Sequence, residues 1–307
     1  MKLSSAWIVI ENGRSPAATV AARTLRKRLD AVWRELPTAG SRTARDAESV
    51  HRLRVATRRA IAALDAFHDL LPAKRAEWFA KRLRRIRRSA GEARDLDVLT
   101  DRLAGESGEP SGARARRRLV AMLSKQRDVS RKPIRTQHER LLAADWLDRV
   151  ERLIAGIDDG RGRSTFREYA GRRLRPLMRR FFAAADRKLR TADEIHALRI
   201  EGKKLRYALE IFSAVFPPRM RARCYDALEH LQKTLGDFTD HASAADRFRR
   251  LSHEKSAAAN REVLARLRDE EERRADEARK AFVKWWDARR RRSLRRRFEE
   301  TLRKASA

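Results

Sequence analysis

The chain has 307 residues, of which 75 are Lys or Arg and 43 are Asp or Glu, so its formal net charge at neutral pH is +32. Its 42% of apolar residues can form a sizeable core, which argues against disorder caused by charge alone, and its one cysteine excludes a disulfide framework or a zinc ribbon. So large a positive charge indicates a polyanionic partner, either nucleic acid, an anionic membrane surface or a phosphate polymer.

The sequence shows no sign of a membrane segment or an export signal. No window approaches the roughly 18 consecutive apolar residues that a membrane span requires. The apolar run at residues 6–10 is shorter than the core of a signal peptide, and no cleavage pattern of small residues follows it. We therefore expect a cytoplasmic protein that does not insert into a membrane, whereas its oligomeric state stays open.

The predicted elements are helices from one end of the chain to the other. Only 12 Gly and 8 Pro interrupt long stretches rich in Ala, Leu, Arg and Glu, and no alternating β-branched pattern competes with the helical period. The sequence therefore predicts an all-α fold of long helices, about 20–35 residues between interruptions, folded back into bundles. In chain order, the interruptions lie at residues 37–40, 71–72, 105–112, 158–163 and 217–218.

The second part of the chain repeats the first. The segment VHRLRV at residues 50–55 corresponds to IHALRI at residues 195–200, and the same offset of 145 residues holds without a gap as far as Pro72 and Pro217. The offset also aligns the helical segments before and after this one. Because Arg-rich composition alone does not reproduce one register across three consecutive segments, the sequence predicts an internal duplication.

The duplication predicts how the chain is organised. We expect a single domain over residues 1–287, in which two similar halves pack about a pseudo-two-fold axis. Each half would consist of about four helices arranged as a bundle. The predicted parts are a first half at 15–142, a bridging helix at 143–158, a second half at 160–285 and a basic C-terminal tail at 288–307.

Each half carries a row of basic side chains opposite its apolar face. At about 100° per residue, the helix after residue 50 turns apolar residues to one side and cations to the other, and the helix after residue 195 does the same. We call these the first and the second basic row, and they consist respectively of His51, Arg54 and Arg58 and of His196, Arg199 and Lys203. Arg206 extends the second row by one turn.

The rows indicate a site for a polyanion. Like charges at positions i and i+4 destabilise a helix, and a bound anion would compensate for this. A guanidinium group forms two parallel hydrogen bonds with phosphate, and a polyanion that binds such a row releases its own counterions. A histidine between cations is biased toward its neutral form until an anion binds beside it. Further positions that are basic in both halves are Arg28 with Arg173, and Arg88 with Lys233.

The residues around the two rows resemble the signatures of a known family, the CHAD or conserved histidine α-helical domain. Residues 50–59, VHRLRVATRR, are similar to its first signature, and residues 195–207, IHALRIEGKKLRY, are similar to its second. Residues 91–99 and 231–240 resemble the segments that follow the third helix of each half. The resemblance extends over about residues 10–290.

This resemblance implies two four-helix bundles around a basic central channel or groove, and binding of inorganic polyphosphate rather than catalysis. No strand pattern typical of the triphosphate tunnel domain that many members carry is present, so the chain resembles a stand-alone domain without phosphohydrolase activity. We expect it to be targeted to polyphosphate granules in the cytoplasm or to organise them. The phosphate contacts that the family and the repeat imply are His51, Arg54, Arg58, His196, Arg199, Lys203, Arg206, Arg28, Arg173, Arg88 and Lys233.

Nucleic acid is the main alternative partner, bound without specificity by a basic helical protein. The segment most suited to it is 288–304, which contains two runs of arginine. Such a segment binds polyanions only weakly and without sequence preference. Apart from Tyr207, no aromatic residue interleaves with the rows as a stacking surface for bases would, and no helix-turn-helix, zinc-finger or RRM signature is present.

A polyphosphate-processing or metal-dependent enzyme is the second alternative. The spacing acid-x-x-His occurs at Glu48–His51 and at Asp193–His196, as in di-iron helical bundles. In both cases two cations follow on the same face and would repel a pair of metal ions, and Thr191 with Glu194 form a capping box. No nucleophile motif or glycine-rich phosphate loop is present. We therefore expect no catalytic residue, metal site or cofactor, with Mg²⁺ or Ca²⁺ accompanying bound phosphate left open.

Overall fold

The computed structural model describes the chain except for residues 1–6, 9–12, 42–46, 106–112, 159–163, 190, 255–259 and 307. Its described residues form helices and their connections, and the extended backbone among them is confined to an isolated bridge between Pro16 and Thr165. The prediction of an all-α fold is confirmed. No helix in the described part of the chain combines the length and the apolar character that crossing a bilayer requires.

Long helices follow one another through short connections, as the spacing of glycine and proline predicts. Single 3-10 turns, His68–Leu70 and Ser213–Val215, follow the second and the eighth helix. The helices of the described residues are α1 (Ala17–Gly40), α2 (Ala47–Ala66), α3 (Ala73–Gly105), α4 (Ala113–Ser130), α5 (Lys132–Leu142), α6 (Trp146–Ala155), α7 (Phe166–Ala185), α8 (Ala192–Phe212), α9 (Pro218–Ser252), α10 (Arg261–Trp285) and α11 (Ala288–Ser306).

The chain divides into two compact units. The first unit comprises residues 21–159 and 252–263, and the second comprises residues 1–20, 160–251 and 264–307, as far as these are described. The first basic row, on α2, belongs to the first unit, and the second basic row, on α8, belongs to the second. Helix α6 occupies the place of the predicted bridging helix and is part of the first unit. The duplication and the central channel stay predictions.

In the first unit, the apolar faces of α2 and α3 form a shared core. At most 3% of the surface is exposed at the core residues Leu53, Ala60, Leu64, Phe79, Leu83 and Ile86. Their spacing of three and four residues puts them on one side of each helix. Burying one such large side chain stabilises the fold by about 1.5–3 kcal/mol. The first basic row does not point straight away from this core, as the helical period predicted, because its three members are half-buried and Arg54 rests on α3.

The break between α4 and α5 at Arg131 is not among the interruptions predicted above, although a proline follows it by two residues. Pro133 lies in the first turn of α5, where its missing N–H group sacrifices no helical hydrogen bond. Arg135 Nη1 donates to the carbonyl oxygen of Gly40 at 3.1 Å, so α5 satisfies a carbonyl at the C-terminus of α1. Helix α1 itself continues through Pro37 to Gly40, although the sequence indicates an interruption there.

A charged group lies in the interior of the first unit. The Asp97 carboxylate on α3 is fully buried, and its Oδ1 lies 3.7 Å from Arg127 Nε and 3.9 Å from Arg131 Nη2. Burial outweighs the two guanidinium groups and raises the pKa of Asp97 to about 6. Arg131 Nη1 also donates to the carbonyl oxygen of Ala39 and to Ser49 Oγ, so this one side chain joins α1, α2 and α3.

In the second unit, α7 and α8 pack through aromatic side chains. The ring centroid of Phe212 lies 5.7 Å from that of Phe166 and 6.2 Å from that of Tyr169. Helix α7 begins at a capping box, in which Thr165 Oγ1 accepts from the Glu168 N–H group and Glu168 Oε2 accepts from the Thr165 N–H group. These contacts fix the start of α7 and its position against α8.

The basic C-terminal stretch forms helix α11, which packs on α7 within the second unit. The ring of Phe298 lies edge-on to that of Phe182 at 6.1 Å between centroids. Arg295 places its Cζ 4.9 Å from the same Phe182 centroid and pairs with Asp186 at 2.5 Å. One face of α11 is therefore apolar and buried, through Leu294, Phe298 and Leu302.

Candidate anion-binding site

The first basic row lies on α2 and faces the neighbouring helix α3. His51, Arg54 and Arg58 are all half-buried. Arg54 Nη1 donates to the carbonyl oxygen of Arg87 at 3.3 Å. The same nitrogen lies beside Gly91, where a Cβ atom would be 3.7 Å away. That distance is an ordinary van der Waals contact, so the guanidinium group rests close to the surface of α3 at this position.

Positive charge is concentrated in this row. Burial, and then Arg94, lower the pKa of His51 below its ordinary value, although Glu48 acts in the opposite direction. The pKa of Arg54 is lowered in the same way, by burial first and by Arg58 next. Arg58 Nε is buried and has no hydrogen-bond partner among the described residues. A bound anion would relieve the repulsion and supply an acceptor in one place.

Arg94 is a member of this cluster that the sequence analysis missed. Its charge acts on both His51 and Arg54. At the position 145 residues later the chain has Thr239, so a search for positions that are basic in both halves passes over it. The signal that could have found it is its spacing of seven residues from Arg87, which puts both side chains on one side of α3.

The second basic row has the same arrangement in its own unit. Arg199 on α8 lies beside Gly236 of α9, where a Cβ atom would be 3.8 Å from Arg199 Nη2. The same nitrogen lies 4.0 Å from Asp240 Oδ1. His196 is exposed and Lys203 is half-buried. An arginine resting beside a glycine of the next helix is therefore found at two sites, 145 residues apart in the chain.

The family model of the CHAD domain matches residues 23–249 of this chain. The chain belongs to the CHAD family. The matched range includes both basic rows and the glycines beside them. The family predicted from the two histidine-centred segments is thus confirmed.

Two solved structures share the fold of this CHAD domain. The crystal structure of the CHAD domain from the plant Ricinus communis is 21% identical, with a TM-score of 0.70, over 91% of this chain and 95% of that chain. PptA from Streptomyces chartreusis is 20% identical, with a TM-score of 0.57, over 89% of this chain and 99% of that chain. No curated protein sequence matches the chain. At these identities the likeness shows the fold alone.

Arg206, the predicted extension of the second row, is engaged in a network inside the CHAD domain. Its Nη1 donates to Tyr225 Oη at 2.9 Å and to Glu210 Oε1 at 3.4 Å. Tyr225 Oη donates in turn to Glu210 Oε1 at 3.2 Å, and burial raises the pKa of Tyr225 to about 12. Because Glu210 is buried, Arg206 neutralises a carboxylate that would otherwise be destabilising. Its charge is thereby matched within the protein.

The four additional residues that the repeat implies occupy different environments. Arg28 is only 4% exposed, so it presents almost no surface to a ligand. Arg173 on α7 is half-buried, whereas Arg88 on α3 and Lys233 on α9 are exposed. Of the four, the exposed pair offers a ligand the most accessible charge.

Glu194, next to the acid-x-x-His residue Asp193, has a local role at the start of α8. Glu194 Oε2 accepts from the Thr191 N–H group and Thr191 Oγ1 accepts from the Glu194 N–H group, both at 3.2 Å, which is the predicted capping box. It fixes the start of α8 just before His196. In the described part of the chain, no group of three or more His, Cys, Asp or Glu side chains is arranged to hold a metal ion. The expectation about metals and cofactors stays a prediction.

Proposed function

We propose that this CHAD domain binds inorganic polyphosphate through its two basic rows, without catalysis, and that this targets it to polyphosphate granules in the cytoplasm or organises them. The observation that carries the proposal is the arginine beside a glycine in each row, Arg54 at Gly91 and Arg199 at Gly236. In each row, the guanidinium group lies against the neighbouring helix, and the other cations of that row follow on the same helix. Membership of the CHAD family supports the same ligand.

The dimensions of the rows suit an extended chain of phosphate groups. At a rise of 1.5 Å per residue, the span from His51 to Arg58 is about 10 Å along α2. Several consecutive phosphoryl groups of a linear polymer fit along that length. Guanidinium groups stay charged over the whole physiological pH range and form paired hydrogen bonds with phosphate oxygens, so they bind the interior of the chain as well as its ends.

The burial of Tyr207 supports polyphosphate rather than nucleic acid as the ligand. It is the aromatic residue that the sequence places nearest to the second row, and single-stranded nucleic acids bind by stacking bases on such rings. In the structure its side chain is buried, and Arg206 Cζ lies 4.8 Å from its ring centroid. Its ring is therefore not presented to a base, and binding in the row depends on charge and hydrogen bonding.

A competition experiment tests the proposed ligand. We expect long-chain polyphosphate to displace a labelled polyphosphate probe at least about tenfold more effectively than single-stranded RNA or DNA at equal phosphate concentration and physiological salt. The affinity should fall with salt, with a log–log slope of about −0.7 for each phosphate contacted, if the polymer behaves like a single-stranded nucleic acid. Equal competition by all three polymers would identify a generic polyanion binder. The proposal also excludes catalysis. Shortened polyphosphate chains after incubation with the protein and Mg²⁺ would reveal phosphatase activity and contradict this.

The affinity for polyphosphate should increase as the pH falls toward about 6. Burial and Arg94 lower the pKa of His51 and so favour the neutral form of its ring in the free domain. A phosphate beside the ring stabilises the protonated form and raises this pKa, so binding takes up a proton and is strengthened by acid. Calorimetry in buffers of different ionisation enthalpy measures that uptake.

The variant His51→Gln should weaken this pH dependence, whereas His68→Gln should keep it. His68 belongs to the same unit but lies in the turn after α2, paired with Asp69 at 2.6 Å. The measurement uses long-chain polyphosphate, because its few titrating end groups contribute little to the pH dependence of the affinity. A native affinity that does not change between about pH 8 and pH 6 would contradict the role of His51.

A further inference from the structure

The first unit contains a second basic site, a small cavity between α3 and α6. It has a volume of about 100 Å³ and is lined by Arg75, Trp78, Phe79, Arg149 and Arg152. None of these residues belongs to the first basic row or to the contacts that the family and the repeat imply. The concentration of three guanidinium groups in one concave site therefore has no explanation in the proposed function.

Trp78, which lines the cavity, contacts two arginine side chains, of which Arg149 also lines it. The Cζ atoms of Arg82 and Arg149 lie 4.6 and 4.7 Å from its ring centroid, within the range of cation–π attraction. Arg149 Nε also donates to the carbonyl oxygen of Ala144 at 2.7 Å. Both cations are thus positioned before any ligand arrives. The positive charges repel one another: burial lowers the pKa of Arg82 most, and Arg85 and Arg149 lower it further.

Arg75 is positioned by the end of α6. Its Nη1 donates to the carbonyl oxygen of Arg152 at 2.5 Å. A Cβ atom at Gly156 would lie 2.7 Å from the same nitrogen, so glycine at this position leaves the room that Arg75 occupies. A guanidinium group has five N–H donors. Among the described residues, the hydrogen bonds of Arg75 and Arg149 each use one donor atom, and the rest of each group can turn to a ligand.

Size and charge define the ligand class. The three arginines that line the cavity carry three positive charges, Arg82 adds a fourth beside the Trp78 ring, and Asp148 pairs with Arg152. An excess of positive charge suits an anion with several negative charges better than a single carboxylate. The volume of about 100 Å³ holds several water molecules and so one or two phosphoryl groups, but it is well below the 300–1,000 Å³ of pockets that hold drug-sized ligands.

We propose that this cavity binds a small phosphate anion carrying one or two phosphoryl groups, independently of the basic rows. Guanidinium groups recognise phosphoryl oxygens through paired, charge-assisted hydrogen bonds. Here Trp78 and backbone carbonyl oxygens fix Arg75 and Arg149 around one space, and Asp148 pairs with the third, Arg152. The group bound is either a free anion, such as pyrophosphate, or the terminal phosphate of a polyphosphate chain.

Calorimetric titration of the full chain with pyrophosphate tests the proposal. We expect a site of 1:1 stoichiometry whose affinity falls at least tenfold in the double variant Arg75→Gln/Arg152→Gln. Both side chains are exposed, so the fold should be retained, and circular dichroism checks this. The matched control is Arg118→Gln/Arg140→Gln, which removes two exposed charges from α4 and α5 and should bind pyrophosphate as the native protein does.

Three further measurements distinguish a free anion from the end of a polymer, and the cavity from the basic rows. Inorganic phosphate and long-chain polyphosphate are titrated alongside pyrophosphate. If the double variant weakens binding of the small anions alone, the cavity holds a free anion; if it also weakens the polymer, the cavity holds a chain end. The variant Arg54→Gln/Arg58→Gln should keep pyrophosphate binding at the cavity. A failure of the basic rows to bind polyphosphate is therefore distinguishable from a failure of the cavity to bind pyrophosphate. Absence of pyrophosphate binding, or equal binding by the double variant and the native protein, would overturn the proposal.

Discussion

Glutamine at all four of Arg54, Arg58, Arg199 and Lys203 is expected to abolish binding of long-chain polyphosphate. A hydrogen bond that involves a charged group contributes about 1.5–3 kcal/mol, so loss of four such contacts lowers the affinity by a factor of at least about 10⁴. The four side chains are half-buried and none belongs to the apolar core, and glutamine keeps much of their length. The helical circular dichroism signal should therefore stay near that of the native domain, while filter binding with labelled polymer shows the loss.

The matched control removes four charges from α11 instead. Arg289, Arg292, Arg296 and Arg297 are exposed, and their replacement by glutamine lowers the net charge by the same amount. We expect less than a tenfold loss of affinity, which long-range attraction alone accounts for. An equal loss in the two quadruple variants would refute the role of the rows and favour diffuse attraction by the surface as a whole.

Replacing Trp146 by alanine is expected to destabilise the first unit by about 3–5 kcal/mol. Trp146 begins α6, is 1% exposed and packs edge-on against Phe79, with 4.9 Å between ring centroids. It also stacks on Trp33 at 6.1 Å and lies 6.2 Å from Trp78. Truncation removes the contacts that join α1, α3 and α6 and leaves a large cavity. Denaturant unfolding followed by circular dichroism measures the change.

Trp285→Ala provides the comparison at a less buried position. Trp285 is half-buried at the end of α10, where His230 lies 4.5 Å from its ring centroid and Arg290 Cζ lies 5.5 Å from it. The same chemical change should destabilise the protein by about 1 kcal/mol, since much of this side chain already faces water. If the two variants unfold at the same denaturant concentration, burial of Trp146 is not what holds α6 in place.

The features that could be predicted from the sequence are those that depend on neighbours along one helix. The apolar stripe that includes Leu53 and Leu64, and the cations on the opposite side, follow from a period of 3.6 residues alone. The capping box at Thr191 needs only a partner three residues later, and it is present in the structure. The histidine-centred segments predicted the family for the same reason, because their pattern is contained in a few turns.

The features that escaped prediction depend on side chains from distant segments. Arg206 has the spacing of a row residue, but Tyr225, which accepts its hydrogen bond, comes from the next helix. Asp97 on α3 meets Arg131, which lies more than 30 residues further along the chain, after the end of α4. Whether a cation faces a ligand or a buried carboxylate is decided by such packing, which the period of a single helix does not contain.

The apolar face of α11 has a practical meaning for fragments of this protein. Phe298 covers the ring of Phe182 on α7, and Arg295 lies over the same ring. A fragment cut at residue 287, where the composition turns strongly basic, would expose that ring and its surroundings to water, and an uncovered apolar patch promotes self-association. The arginine-rich helix α11 is therefore a packed part of the second unit, and a fragment made for expression should extend beyond Leu302.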